Sequence, residues 1–364
     1  MKQSHNKQRP FLIPKLNAPI LILIIATFVL IDLFAMPWIV ARQHIEATSA
    51  YRPPLHFSYA QVKAQIDLIN QDTHPRVITV GDSIVNGGGV GSSEDTIANY
   101  LQQGLNNVNL QNYHVYNLGL SGAAPADVFF LVKALDLKPQ DIVVYDLNLN
   151  HYFIMQKLVF PQITAELADK HHNGQPLYDF FGIQKDKLED RLQLFVSDYW
   201  KLYAYRGLVH EMYNEKVKGN KPLSMAEEVN LNPWTMTDWT ERTKDSVKRG
   251  HSAYVADDPA LVITRDLIQE TRQRGANILL FGIPMNQEMV KRYNMVDWEG
   301  YHAGMKHLQE DVEKEGARYV DYSQLVPSPY FTDSLHPMAK GNEIIAQQLV
   351  KDLNPWLTEK GSAK

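Results

Sequence analysis

The chain contains no cysteine among its 364 residues, which excludes disulfides, thiolate metal sites and cysteine nucleophiles in one step. A chain without thiols is indifferent to oxidising surroundings, so its compartment has to be read elsewhere. It also lacks a basic surplus, with 36 Lys and Arg against 41 Asp and Glu for a net charge of -5. Beyond Lys15 there is no basic stripe, and no nucleic-acid partner is expected. Internal repeats and low-complexity tracts are missing. Gly87-Gly88-Gly89-Val90-Gly91 lacks the Gly-Lys-Ser/Thr ending of a phosphate loop and the full spacing of a dinucleotide fingerprint. It reads as a flexible rim. Ser83 is not on a G-x-S-x-G elbow, because Val85 stands where the second glycine should be, which argues against the ordinary α/β-hydrolase fold. His210-Glu211 is followed by Asn214 where a zinc-protease helix needs a second histidine, and His171-His172 has no carboxylate at a metal spacing. Both read as surface residues, and Gly250-His251-Ser252 as a loop.

What is present begins with a 45% hydrophobic, 21% charged composition, enough apolar material for a sizeable core. Lys2, Lys7, Arg9 and Lys15 precede an apolar run from Ala18 to Ala41 whose one charge is Asp32. About 20 helical residues cross the hydrocarbon core, so the run is of membrane length. The basic flank predicts a cytoplasmic N-terminus at 1–17, a transmembrane signal-anchor at 18–41 and an extracytoplasmic remainder. A cleaved signal peptide with an apolar region from Ala18 to Ile31 is the alternative. Against it, no small-x-small cleavage site follows at the right distance, and Trp38 with Arg42 resembles an interfacial edge. Asp32 and Pro37 are unusual in such a helix. They belong near the outer interface or against a membrane partner.

Residues 42–75 read as a juxtamembrane connector with a helix from Ser58 to Asn70, broken before Pro75. Strand-like runs follow at Val77–Val80, His114–Leu118, Asp141–Leu147, Ile278–Ile283 and Arg318–Asp321. Helix-like segments separate or follow them at Ala124–Leu135, Pro259–Arg274, Met285–Glu315 and Met338–Leu353. Such alternation predicts an α/β fold, a three-layer α/β/α sandwich with a mostly parallel sheet, over 76–364. Residues 152–255 interrupt it with a stretch that includes Phe195, Tyr199, Trp200, Tyr203 and Tyr205. An insertion of that size at a strand end is a candidate cap or partner surface, most of its aromatics forming its own core.

Four short blocks carry the chemistry. Val77-Ile78-Thr79-Val80-Gly81-Asp82-Ser83 puts Ser83 on the turn after a strand. About 250 residues later, Asp333-Ser334-Leu335-His336 sets a carboxylate and an imidazole about one turn apart at the mouth of a C-terminal helix. A serine hydroxyl is a poor nucleophile until a histidine takes its proton, and a carboxylate holds that histidine in the right tautomer. Between them, Asn117-Leu118-Gly119-Leu120-Ser121-Gly122 follows a strand and leads into a helix, where backbone N–H groups receive negative charge. Asp146-Leu147-Asn148-Leu149-Asn150 presents an amide at the end of the next strand. Attack of Ser83 on an ester would create an oxyanion, for which the N–H of Ser83, the N–H of Gly122 and the Asn150 amide are the candidate donors. No metal or other cofactor is required.

In order and in residues, the four blocks resemble those of the SGNH (GDSL-type) hydrolase superfamily. The resemblance implies Ser83 as nucleophile, Gly122 and Asn150 as oxyanion donors, and His336 with Asp333 as base and partner. It covers about residues 76–355, with the insertion outside it. Two positions depart from the family pattern: Asn148 replaces a glycine and His151 an aspartate. His151 is therefore either a substrate contact beside Asn150 or a partly exposed histidine without a role. The plan of anchor, domain and insertion is also similar to membrane-anchored proteins that move acyl groups onto cell-envelope polymers. That likeness implies an acylated carbohydrate substrate and a membrane acyl-donor protein as partner. The rival expectation is a non-catalytic envelope assembly or binding protein on the same scaffold.

Overall fold

Residues 17–36, 48–53, 59–152, 200–204, 231–244, 248–250, 254 and 258–361 are described by the computed structural model. In chain order the main elements are α1 (Ala18–Leu30), α2 (Tyr59–Gln71), β1 (Arg76–Gly81), α3 (Ile97–Asn107), β2 (His114–Gly119), α4 (Pro125–Ala134) and β3 (Ile142–Leu147). After the insertion come α5 (Pro259–Gln273), β4 (Asn277–Gly282), α6 (Gln287–Arg292), α7 (Trp298–Lys314), β5 (Arg318–Asp321) and α8 (Ala339–Gly361).

The five strands form one sheet in the order β2-β1-β3-β4-β5, and every pairing is parallel. β1 and β3 are buried along their whole length, the burial that near-continuous runs of β-branched residues allow. Side chains alternate between two cores, as a period of two demands. Ile78, Val80, Leu118, Val143 and Leu280 join Val62, Ile66 and Ile69 of α2 together with residues of α4, α5 and α7. Val77, Val115, Val144, Leu279 and Phe281 join Leu101 and Leu105 of α3 and Ile345, Leu349 and Leu353 of α8. The three-layer α/β/α sandwich expected from the alternation is the observed fold. In a sheet of order 2-1-3-4-5 the topological switch lies between β1 and β3, and ligands bind outside the carboxyl ends of the strands there.

At the opposite, N-terminal edge, Arg76 and Asp141 form a fully buried ion pair. Arg76 Nη1 also donates to Ile69 O at 2.6 Å, and Lys138 N to Asp141 Oδ2 at 2.7 Å. These bonds satisfy charges that would otherwise be costly to bury.

Three element boundaries differ from expectation. The helix expected over Met285–Glu315 is two helices: Asn294 takes φ 51°, and Asn286 and Asp297 each cap a separate start, accepting from Met289 N and Gly300 N. The C-terminal helix continues past Leu353 and through Pro355, because Leu357 keeps a fully buried seat one turn beyond Leu353. α3, not anticipated at all, is capped by Thr96 and buries Ile97, Ala98, Leu101 and Leu105 along one face.

α1 continues through a wider turn, Ile31–Ala35, to Met36. Its large apolar side chains from Ile20 to Phe34 are 40–69% exposed, apart from Ile31, which is intermediate. Among the described residues it is the one helix long and apolar enough to be a membrane span or signal sequence. Asp32 is buried and accepts from Leu202 N at 2.6 Å. The charge within the apolar run thus satisfies a backbone donor of the helical turn Lys201–Ala204 of the same chain. Of the insertion's aromatics, Trp200 is exposed and stacks on Tyr203 at 6.1 Å. Phe195, Tyr199, Tyr205, His171, His172, His210, Glu211, Asn214, His251, Ser252, Pro37, Trp38 and Arg42 lie outside the described residues.

Candidate active site

Ser83 opens a one-turn helix, Ser83–Asn86, directly after β1. The helix cap is not the serine: Asp82 accepts from Ile84 N at 2.8 Å, leaving the Ser83 hydroxyl for other work. Ser83 Oγ lies 2.8 Å from His336 Nε2, and His336 Nδ1 lies 2.7 Å from Asp333 Oδ2. Residues 253 positions apart in the chain are joined in one line of hydrogen bonds. Asp333 to His336 form a bent loop just before α8 rather than a helical turn. The loop is closed by the carboxylate itself, whose Oδ1 accepts from Leu335 N at 2.7 Å and His336 N at 2.8 Å. One oxygen shapes the backbone while the other holds the ring.

The electrostatics fix the tautomer. Burial works to raise the Asp333 pKa, but the charge and hydrogen bond of His336 and the N–H groups of Leu335 and His336 outweigh it and bring it down to about 2. Burial also works to lower the His336 pKa, and Asp333 with Asp82 overcomes this and raises it. An ionised Asp333 accepts from Nδ1–H, which leaves Nε2 as acceptor for the serine proton.

The other block residues stand at the carboxyl ends of the strands flanking β1. Gly119 pairs with Gly81 in register, and Leu120 N donates to Gly81 O at 2.9 Å. Gly122 then occupies the turn closed by Ala123 N to Leu120 O at 2.9 Å. After β3, Asn148 caps the turn Leu149–His151 by accepting from Asn150 N at 3.1 Å. Ser83, Gly122 and Asn150 thus follow the ends of three neighbouring strands, with β1 in the middle.

Beneath the serine is a buried acid pair that sequence reasoning did not anticipate. Asp82 N donates to Asp146 Oδ1 at 3.1 Å, and Asn148 Nδ2 donates to Asp82 Oδ2 at 2.8 Å. Burial, then the charge of Asp82, raise the Asp146 pKa well above the usual range. For Asp82, burial is outweighed by His151, Asp146, Ile84 N–H and Asn148, and its pKa is lowered. Gly81, at φ 149°, makes room: a β-carbon there would stand 1.7 Å from Asp146 Oδ1. His151 Nε2 lies 3.7 Å from Asp82 Oδ2, too long for a hydrogen bond. Burial lowers the His151 pKa against the pull of Asp82. The Asn-for-Gly and His-for-Asp departures in the third block both end on this carboxylate.

Two remote residues hold the Asp333–His336 loop. Asn286 N donates to Ser334 O and its Nδ2 to Asp333 O, both at 3.0 Å. Arg249 Nη2 donates to Ser334 Oγ at 3.0 Å, while its buried Nε and Nη1 have no partner among the described residues. Neither sits in a recognisable motif. A polar residue opening a helix after β4 is the only sequence signal for Asn286, and Arg249 carries none. The glycine run is no loose rim: Arg52 Nη1 donates to Gly87 O and Val90 O, each at 3.0 Å, and the run packs on His336 and Pro337. Nearby, Trp234 N donates to Phe331 O at 3.0 Å. Trp234 also lines a cleft of about 670 Å³ with Thr235, Asp238, Thr240, Arg292 and Tyr293.

No protein-family model matches the chain, and no curated protein matches it. Solved structures do. The acetyl xylan esterase AlAXEase is 12% identical with a TM-score of 0.41, covering 76% of this chain and 99% of its own. Est24, a carbohydrate acetylesterase from Sinorhizobium meliloti, is 10% identical with a TM-score of 0.37, covering 77% and 99%. The acetylxylan esterase Axe2 from Geobacillus stearothermophilus is 13% identical with a TM-score of 0.37, covering 78% and 96%.

Proposed function

We propose that the chain is an SGNH-type serine enzyme that cleaves or transfers a small acyl group carried as an ester on an extracytoplasmic carbohydrate. The observation that carries this reading is the line Ser83 Oγ, His336 Nε2, His336 Nδ1, Asp333 Oδ2, with both links at 2.7–2.8 Å, at the switch point of the sheet. His336 takes the proton as Ser83 Oγ attacks the acyl carbon, and returns it to the leaving alcohol as the ester C–O bond breaks. The Ser83 N–H, the Gly122 N–H and the Asn150 amide are the proposed donors to the oxyanion, each typically worth about 3 to 4 kcal/mol when removed singly. Water then releases the acyl group in an esterase, and a sugar hydroxyl takes it in an acyltransferase. His151, one residue past Asn150, is the proposed substrate contact.

The carbohydrate part of the reading rests on the likeness in plan to membrane-anchored proteins that move acyl groups onto cell-envelope polymers. The location is supported by the apolar α1 behind a basic flank, read as an anchor with residues 1–17 cytoplasmic and the 76–364 domain outside. A membrane acyl-donor protein is the partner this arrangement would serve. Turnover of p-nitrophenyl acetate by the chain and its Ser83→Ala variant tests the reading. Activity in the wild type that falls at least about 10³-fold in the variant is expected; equal activity in the two would end it.

A further inference from the structure

At the end of the sheet opposite Ser83, three residues from different elements converge. Asp72 follows α2, His74 lies two residues on in the turn to β1, and His114 is the first residue of β2, paired in register with Arg76. His74 Nδ1 lies 2.8 Å from Asp72 Oδ1, and His114 Nδ1 lies 2.7 Å from Asp72 Oδ2. The two imidazoles face each other with centroids 4.1 Å apart and planes tilted by 34°. Their three ligand atoms all fall within 4.8 Å of one another.

We propose that Asp72, His74 and His114 form a binding site for a divalent transition-metal ion of the zinc class. Two imidazole nitrogens and one carboxylate oxygen are a common donor set for such an ion, and water completes the coordination. A tetrahedral ion with bonds of about 2.0–2.1 Å separates its ligand atoms by about 3.3 Å. The two imidazole nitrogens now contact different oxygens of Asp72, at 2.8 and 2.7 Å, so the rings have to move by about 0.5 Å or more to share one ion with a single carboxylate oxygen. The side chains can give, since those of His74 and His114 are 53% and 40% exposed, which also leaves an entry path. Asp72, at 11%, is the anchored member. Its carboxylate is oriented by His74 N at 3.0 Å and by the Tyr116 hydroxyl, the kind of supporting shell that metal-ligating carboxylates carry. Burial is outweighed by these hydrogen bonds, which keep it ionised.

Binding deprotonates Nδ1 of both rings and places Nε2–H toward solvent. The ion ties the turn before β1 to the start of β2. β1 itself, six residues from Arg76 to Gly81, keeps it roughly 17–20 Å from the serine end of the sheet. The ion is thus a staple for the sheet edge and takes no part in ester chemistry.

The test uses the full-length chain in detergent, stripped with EDTA, then titrated with Zn²⁺ against a chromophoric chelator beside its His74→Ala/His114→Ala variant. Equal melting temperatures in EDTA establish that the variant is folded; the single His74→Ala variant substitutes if they differ. One Zn²⁺ per chain, bound at least tenfold more weakly by the variant, is expected, together with a Zn²⁺-dependent rise in melting temperature confined to the wild type. Absence of a stoichiometric ion, or a loss smaller than tenfold, overturns the site.

Discussion

His336 lies so close to Gly88 that a β-carbon on residue 88 would stand 2.7 Å from the imidazole Cδ2 and 3.0 Å from Ser83 O. Gly89 makes the same kind of approach to Pro337 O, at 2.2 Å. The glycines therefore form the wall on which the His336 ring rests, with Arg52 bracing that wall from the connector.

Gly88→Ala should act on the ring rather than on the fold. Its methyl group displaces His336 from the serine by a few tenths of an ångström, and misplacement of a base on the 1 Å scale costs up to about 10²-fold. Ester turnover is expected to fall by at least tenfold with a melting temperature close to wild type. An unchanged kcat would mean that the ring position does not matter.

The pH profile should carry the signature of the Asp333–His336 pair. His336 must be neutral to accept the serine proton, and its pKa is raised above the ordinary 6.5. Activity accordingly increases as pH rises through that raised value. Arg249 opposes Asp333 in setting it, so Arg249→Leu moves the midpoint of kcat/KM upward and Asp333→Asn moves it downward. Profiles that coincide would disconnect the arginine from the base.

The acid pair under the serine makes a stability prediction. Burial and Asp82 push the Asp146 pKa well above the usual carboxylate range, so an amide is expected to replace it, accepting from Asp82 N and donating to the Asp82 carboxylate. Asp146→Asn is expected to cost under about 1 kcal/mol in urea unfolding, and Asp146→Leu about 2–4 kcal/mol, because it strips partners from a buried carboxylate. Equal costs would show that the proton is not where the electrostatics put it.

Arg76 and Asp141, fully buried, lie far from the chemistry. Removing one partner of such a pair typically costs about 3–5 kcal/mol, so Asp141→Ala should lower stability by that order. Among molecules still folded, Ser83-dependent turnover should persist.

The sheet was legible because β-branched runs such as Val77–Val80 ended in punctuated turns, and strands buried on both faces leave little else for such runs to be. The blocks that carry Ser83, Asp333 and His336 stood out because they are short and local, and the structure brings the three side chains together. The division between α6 and α7 was missed because the helical periodicity of Met285–Glu315 concealed the caps at Asn286 and Asp297. Arg249, Asn286 and Asp146 act through tertiary neighbours, and Asp72 meets His114 only because β1 and β2 run parallel in register. Contacts of that kind leave no spacing to read. The glycine run does lie beside Ser83, but the approach of Gly88 to His336 left no spacing to read, since the two are distant in sequence.

The central claim is that Ser83 is a nucleophile activated by His336. The most direct measurement is labelling of the full-length chain with a fluorophosphonate, followed by mass-spectrometric location of the adduct. One adduct, on Ser83, is expected, with a rate of formation that drops at least about 10²-fold in His336→Ala. A folded chain that leaves Ser83 unmodified, or one labelled equally fast without His336, would contradict it.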